Sequence, residues 1–296
     1  MTARPGAGDT GGRAGEQARS APTPAFYKLT GSGNDFVFFD ERPPGAAAVL
    51  ARFRAPAAID ALCDRRNGVG ADGVVFVEAA DAREVRIAYY NRDGSRAALC
   101  GNATLCTARL AAELGMVADP ARPFVVATDA GRLEASVPDA GDPVIALGPV
   151  RDVAPVAPDV TPEAGEHAVG YALAGVPHLV VLVDAVDAVD LDRRGAELRA
   201  ASVARPSGAN VNWVARVGAR WRMRTFERGV EGETLACGTG AVAAATLITR
   251  WTGASGPIVL LTSSGRPVVV TPGTDGTHAL LAGEGRLVFR GELASL

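Results

Sequence analysis

The 296 residues carry 30 Lys and Arg against 33 Asp and Glu, a formal net charge of −3. That balance leaves no basic footprint for nucleic acid. No apolar run reaches the roughly 20 residues needed to cross a bilayer, which leaves a small molecule as the expected partner.

Residues 1–24, rich in Gly, Ala, Thr, Pro and Arg and lacking an apolar signal region, read as a disordered tail of a cytoplasmic protein. Strands are predicted at 26–30 and 36–40, a helix at 57–65, and strands at 73–78 and 85–90. Cys100 opens a helix running to about 114, and strands follow at 124–128, 132–137 and 143–147. Pro149, Pro155 and Pro158 then interrupt the pattern.

The same order starts again: strands at 169–173 and 179–184, a helix at 193–201, strands at 209–215 and 221–227. Cys237 opens a helix to about 250, followed by strands at 258–261, 267–270 and 278–281. A last strand at 286–291 is expected to return to the first lobe, although periodicity alone does not decide it. The fold class is therefore α+β, built from two pseudo-symmetric lobes facing one cleft. The predicted division is a tail at 1–24, an N-terminal lobe at 25–148 joined by 285–296, and a C-terminal lobe at 149–284.

The local sequences agree at the same point of both halves: Leu99-Cys100-Gly101-Asn102-Ala103 against Ala236-Cys237-Gly238-Thr239-Gly240, each before an Ala-rich helical run. A helix N-terminus offers unpaired N–H groups and a positive dipole end. A thiol there is expected to have a lowered pKa. The N–H groups of Gly101, Asn102, Gly238 and Thr239 are expected to hold a carboxylate. Two such ends aimed at one carboxylate place a Cα between two thiols, one removing its proton and the other delivering one to the opposite face.

The four cysteines, Cys63, Cys100, Cys106 and Cys237, are too few for a disulfide framework, and Cys63 and Cys106 read as packing residues. Lys28 is the only lysine, which argues against pyridoxal phosphate, and no Cys or His pair has zinc spacing. The expectation is an enzyme with no cofactor and no metal.

The segments Gly31-Ser-Gly-Asn34-Asp35-Phe36, Asn91-Arg-Asp93-Gly94-Ser95, Cys100-Gly-Asn102, Gly208-Ala-Asn210-Val-Asn212 and the run from Glu227 through Cys237-Gly-Thr239-Gly resemble the diaminopimelate epimerase family, from about Phe26 onward. The resemblance implies lobes that each wrap a β-barrel on a central helix, and conversion of LL-diaminopimelate to the meso form without coenzyme, by a homodimer, on the route to lysine and peptidoglycan. It implies base and acid roles for Cys100 and Cys237, assistance from His178 and Glu227, and a carboxylate cradle at Gly101, Asn102, Gly238 and Thr239. Asn34, Asn91, Asn210 and Arg228 resemble its substrate-binding positions, and Glu227 is counted with them.

Three departures bear on the substrate. Val176 stands where many members have Asn, Gly73 where Gln is frequent, and Ala103 and Leu105 replace the usual Gly and Arg. Losing hydrogen-bonding groups can change which amino acid a site accepts. A racemase of another amino acid, of the proline or histidine kind, is the alternative that keeps the chemistry. A Cys–His178 thiol hydrolase and a non-catalytic amino-acid-binding module leave the paired Cys-Gly unexplained.

Overall fold

A computed structural model describes residues 23–272 and 278–294 of the chain. Residues 1–22 of the predicted tail, 273–277 and 295–296 lie outside the described residues. The first half runs β1 (Ala25–Gly31), β2 (Asn34–Asp40), α1 (Ala46–Leu50), α2 (Pro56–Cys63), β3 (Gly73–Ala80), β4 (Glu84–Asn91) and β5 (Arg96–Ala97). It continues with α3 (Gly101–Glu113), β6 (Phe124–Thr128), β7 (Gly131–Ser136) and β8 (Val144–Leu147).

The second half opens with β9 (Val150–Ala154), β10 (Glu166–Ala174), β11 (Val176–Val183), α4 (Leu191–Arg199), β12 (Asn210–Val217), β13 (Arg220–Glu227) and β14 (Gly232–Thr234). Then come α5 (Gly238–Thr252), β15 (Ile258–Leu261), β16 (Pro267–Pro272), β17 (Ala279–Gly283) and β18 (Arg286–Glu292). The short elements α1, β5 and β14 escape periodicity because too few residues repeat, and β9 lies in the stretch that Pro149 and Pro155 interrupt. The second-half helix starts at Leu191, two residues before the predicted start, capped by the Asp190 carboxylate, which accepts from Arg193 N.

The strand pairings repeat between halves. β1–β2, β2–β3, β3–β4 and β4–β6 run antiparallel, parallel, antiparallel and parallel, and β10–β11, β11–β12, β12–β13 and β13–β15 do the same. β18 lies antiparallel on β1 as β9 lies on β10, so the last strand does return to the first half. The halves join where β8 pairs with β17, Ile145 opposite Leu281.

Several strands are apolar on both faces because they are covered on both. In β2, Phe36 and Phe38 enter the core around α3, whereas Val37 and Phe39 pack with Ile59 and Leu62 of α2. In β11, Val180 faces the α3 and α5 core, and Leu179 and Val181 pack with Leu191 and Leu198 of α4. Each half is thus an outer helix, a curled sheet and a central helix. The parity puts Tyr89 against the central core, beside Val85 and Ile87.

Candidate active site

The central helices begin at Gly101 and Gly238, and the preceding cysteines are their N-caps. Cys100 has φ −136° and ψ 118°, and Cys237 has φ −127° and ψ 110°. Extended backbone at an N-cap turns the side chain back over the first-turn N–H groups. Cys237 Sγ accepts from Gly240 N at 3.4 Å and lies 3.5 Å from Thr239 Oγ1. The Cys100 side chain makes no capping hydrogen bond, although the N–H groups of Asn102 and Ala103 act to lower its pKa.

The two helix ends meet. A Cβ added to Gly101 would lie 3.9 Å from Gly238 Cα, and one added to Gly238 would lie 3.9 Å from Gly101 Cα. The Glu227 carboxylate acts on both thiols, and Cys100 acts on Cys237.

Burial reverses the expected direction of the thiol pKa values. It raises Cys100 and pushes Cys237 up to about 12; the helix N–H groups pull both down, but by less, and Glu227 adds to the rise. Charging a sulfur away from water costs more than a helix end returns. Glu227 is raised by burial too, against the opposing hydrogen bond from Thr234 Oγ1 at 2.6 Å.

Asn34 and Asn102 are joined, Asn102 Nδ2 donating to Asn34 Oδ1 at 2.7 Å. Asn34 Nδ2 donates in turn to Asp72 Oδ2, and Arg65 bonds both Asp72 and Asp35. Lys28 pairs with Asp35 at 2.7 Å and donates to the Gly70 carbonyl. Burial opposes ionisation of Asp35, but Arg65 and Lys28 outweigh it and hold its pKa below the usual carboxylate range. The lone lysine is therefore structural.

On the other side, Asn210 Oδ1 accepts from Arg228 N at 2.9 Å, next to Glu227 at the end of β13. Among the described residues the Arg228 guanidinium donates to the Ser207 carbonyl, at 3.4 Å, which leaves other N–H groups for a ligand. Asn91 donates to Ser95 Oγ and makes no hydrogen bond to another predicted site residue among the described residues.

His178 is fully buried on β11 beside Asn210. Asn212 Nδ2 donates to the Leu179 carbonyl, which can only accept, so that atom is the NH₂ group. The same group reaches His178 Nδ1 at 3.2 Å, which makes Nδ1 the acceptor and places the ring proton on Nε2. Nε2 has no hydrogen-bond partner among the described residues. Burial, and then the Arg228 charge, depress the ring to about 3, so it is neutral.

Two thiols at facing helix ends thus stand with a buried carboxylate and a neutral imidazole. The model of the family described as diaminopimelate epimerase matches residues 26–153 and 170–287. A diaminopimelate epimerase of Gemmatimonas aurantiaca is 48% identical over 284 residues, covering 92% of this chain and 100% of the relative. The chain belongs to the diaminopimelate epimerase family.

It is an isomerase, and further diaminopimelate epimerases agree. That of Archaeoglobus fulgidus is 38% identical over 240 residues, 76% of this chain and 81% of its own. The same fold occurs in a phenazine biosynthesis protein of the PhzF family from Bacillus anthracis, with TM-score 0.67 at 15% identity over 93% of this chain and 100% of that one. It occurs also in a hydroxyproline epimerase from Agrobacterium vitis, with TM-score 0.60 at 16% identity over 92% of each.

Sequence reading missed Asp72, Asn212 and Thr234, which touch the predicted residues, and Thr225, which holds Asn212. Asp72, Asn212 and Thr234 lie inside or beside the motifs already noticed. Asp72 and Asn212 are identified by partners distant in sequence, and Thr234 by the hairpin that folds it back on Glu227.

Proposed function

We propose that the protein epimerises LL-2,6-diaminopimelate to the meso form by a two-base transfer between Cys100 and Cys237. The observation carrying this reading is the approach of Gly101 and Gly238, which directs two capped helix ends at one point. The substrate α-carboxylate takes the N–H groups of Gly101, Asn102, Gly238 and Thr239, and the Cα stands between the sulfurs. A thiolate at one cysteine takes the Cα proton and becomes a thiol; the opposite thiol gives its proton to the other face and becomes a thiolate. Protons and charge balance, and the reverse reaction exchanges the roles. The carbanion charge spreads into the carboxylate, where fixed N–H groups stabilise it.

Burial raises both thiols, so the reactive thiolate forms by losing its proton to solvent as the substrate ammonium and the helix N–H groups stabilise the anion. His178 and Glu227 assist the thiols, and Asn34, Asn91, Asn210 and Arg228 hold the remaining polar groups of the substrate. Lobes of 25–148 with 285–296 and of 149–284, assembled as a cytoplasmic homodimer, complete the reading, with the product entering lysine and peptidoglycan synthesis.

Incubation with LL-diaminopimelate in heavy water tests this reading. Expected are deuterium at Cα and accumulation of the meso isomer, with Cys100→Ser and Cys237→Ser each slower by at least about 100-fold, the usual scale of a lost acid or base. Full activity in Cys237→Ser overturns the two-thiol mechanism. The departures Val176 and Gly73 favour a second reading, a racemase of a mono-amino acid; exchange on such an acid with none on diaminopimelate establishes it instead.

A further inference from the structure

The two halves can be superposed through their strand registers. In the second half His178 lies beside Asn210, Asn212 pairs with Thr225, and Thr225 stands opposite Thr234. In the first half Phe36 lies beside Gly73, Val75 pairs with Tyr89, and Tyr89 stands opposite Ala97. Ala97 precedes Cys100 by the same interval at which Thr234 precedes Cys237. The registers therefore match Phe36 to His178, Val75 to Asn212 and Tyr89 to Thr225.

In the second half these positions form a polar set, Thr225 Oγ1 bonding Asn212 Oδ1 at 3.0 Å and Asn212 reaching His178. It lies under the first turn of α5, where a Cβ on Gly240 would come within 2.3 Å of Asn212 Oδ1. In the first half the same three positions hold a single polar group, the Tyr89 phenol.

That phenol has a built seat. Tyr89 and Cys100 line one recess at the start of α3, together with Leu99, Ala103 and Thr104. The Phe36 ring packs edge-on against it at 6.0 Å. A Cβ on Gly73 would stand 2.7 Å from Tyr89 Cε2, 2.7 Å from the Tyr90 carbonyl oxygen and 3.1 Å from the Tyr89 hydroxyl. The side chain missing at 73 and the ring of Tyr89 are thus one feature: the second occupies the room the first leaves.

Burial, and then the neighbouring Cys100, raise Tyr89 far above the usual phenol range, so it keeps its proton beside Cys100 and does not act as a base. It lowers the pKa of Cys100. Cys100 also faces the N–H groups of Ala103 and Asn102, the Glu227 carboxylate and the thiols of Cys106 and Cys237; the groups acting on Tyr89 besides Cys100 are Asp72 and Cys63.

We propose that Tyr89 is the positioning residue of the Cys100 thiol: seated in the space left by Gly73, its hydroxyl directs that sulfur and steadies its thiolate. The assignment rests on the two-thiol reading above. Its test follows iodoacetamide alkylation of each cysteine against pH, resolved by peptide mass mapping, in the full chain and in Tyr89→Phe and Gly73→Ala. The Cys100 profile is expected to move to higher pH by about one unit in Tyr89→Phe, the loss of one hydrogen bond to a charged group. It moves the same way in Gly73→Ala, while Cys237 keeps its profile in both. For Tyr89→Phe, kcat falls about tenfold with KM within about twofold.

An unmoved Cys100 profile in either folded variant, or a shift shared equally by Cys237, overturns the proposal. Alkylation is read without turnover, so this failure is distinct from failure of the two-thiol mechanism, which the serine variants report.

Discussion

His178 illustrates how a residue gains its state from neighbours remote in sequence. Asn212 on the adjacent strand consumes the Nδ1 lone pair, and Thr225 holds the amide, so the ring keeps its proton on Nε2. Nuclear magnetic resonance is expected to find this neutral tautomer down to about pH 4, below which the depressed value near 3 takes over. The linkage has a definite sign. The unfolded imidazole binds a proton near pH 6.5 and the folded one does not, so stability is full above 6.5 and falls as pH drops toward 3. The swing is on the order of 4 kcal/mol for so large a depression. Chemical denaturation in wild type and His178→Gln checks it: the variant should lack this share of the acid slope, and an equal slope in both contradicts a buried neutral ring.

At the scale of elements, the central helices are short on propensity arguments and long on packing. In α5 the run Ala241, Val242, Ala243, Ala244 and Ala245 is buried on every side, so small side chains let surrounding strands approach. Gly240 is the tightest point, with Asn212 Oδ1 at 2.3 Å from any added Cβ and that amide held by Thr225 and Leu179. Gly240→Ala is expected to cost about 1–3 kcal/mol by overpacking and to lower activity by tilting the Cys237 cap. Gly232→Ala, with nothing within 4 Å of an added Cβ, serves as the control and should stay within about 0.5 kcal/mol. Urea unfolding separates them, and equal stability would remove Asn212 as the wall against which α5 rests.

At the scale of the molecule, the halves are one sheet. β8 and β17 pair across the pseudo-two-fold, and Ile145 and Leu281, opposite each other there, have no exposed surface. Residues of both halves, from Leu29 to Leu281, enter one core cluster around α3 and α5. Thermal unfolding is therefore expected as one calorimetric transition, and two resolved transitions would show that the lobes melt separately. Leu281→Ala removes a side chain from the junction beneath the helix ends and should destabilise by about 2–5 kcal/mol without splitting the transition.

The amino-acid order by itself determined the repeat, the central helices and the two cysteine caps, because hydrophobic period and Cys-Gly spacing are local properties. It also carried the family motifs, which are contiguous runs. Only the tertiary structure decided that β18 returns to β1, that Gly101 and Gly238 come together, and that Asp72, Asn212 and Thr234 support the predicted residues. The thiol protonation state belongs there as well: a helix N-terminus is written in sequence, whereas the burial that overrides it is produced by distant strands closing around Cys100 and Cys237.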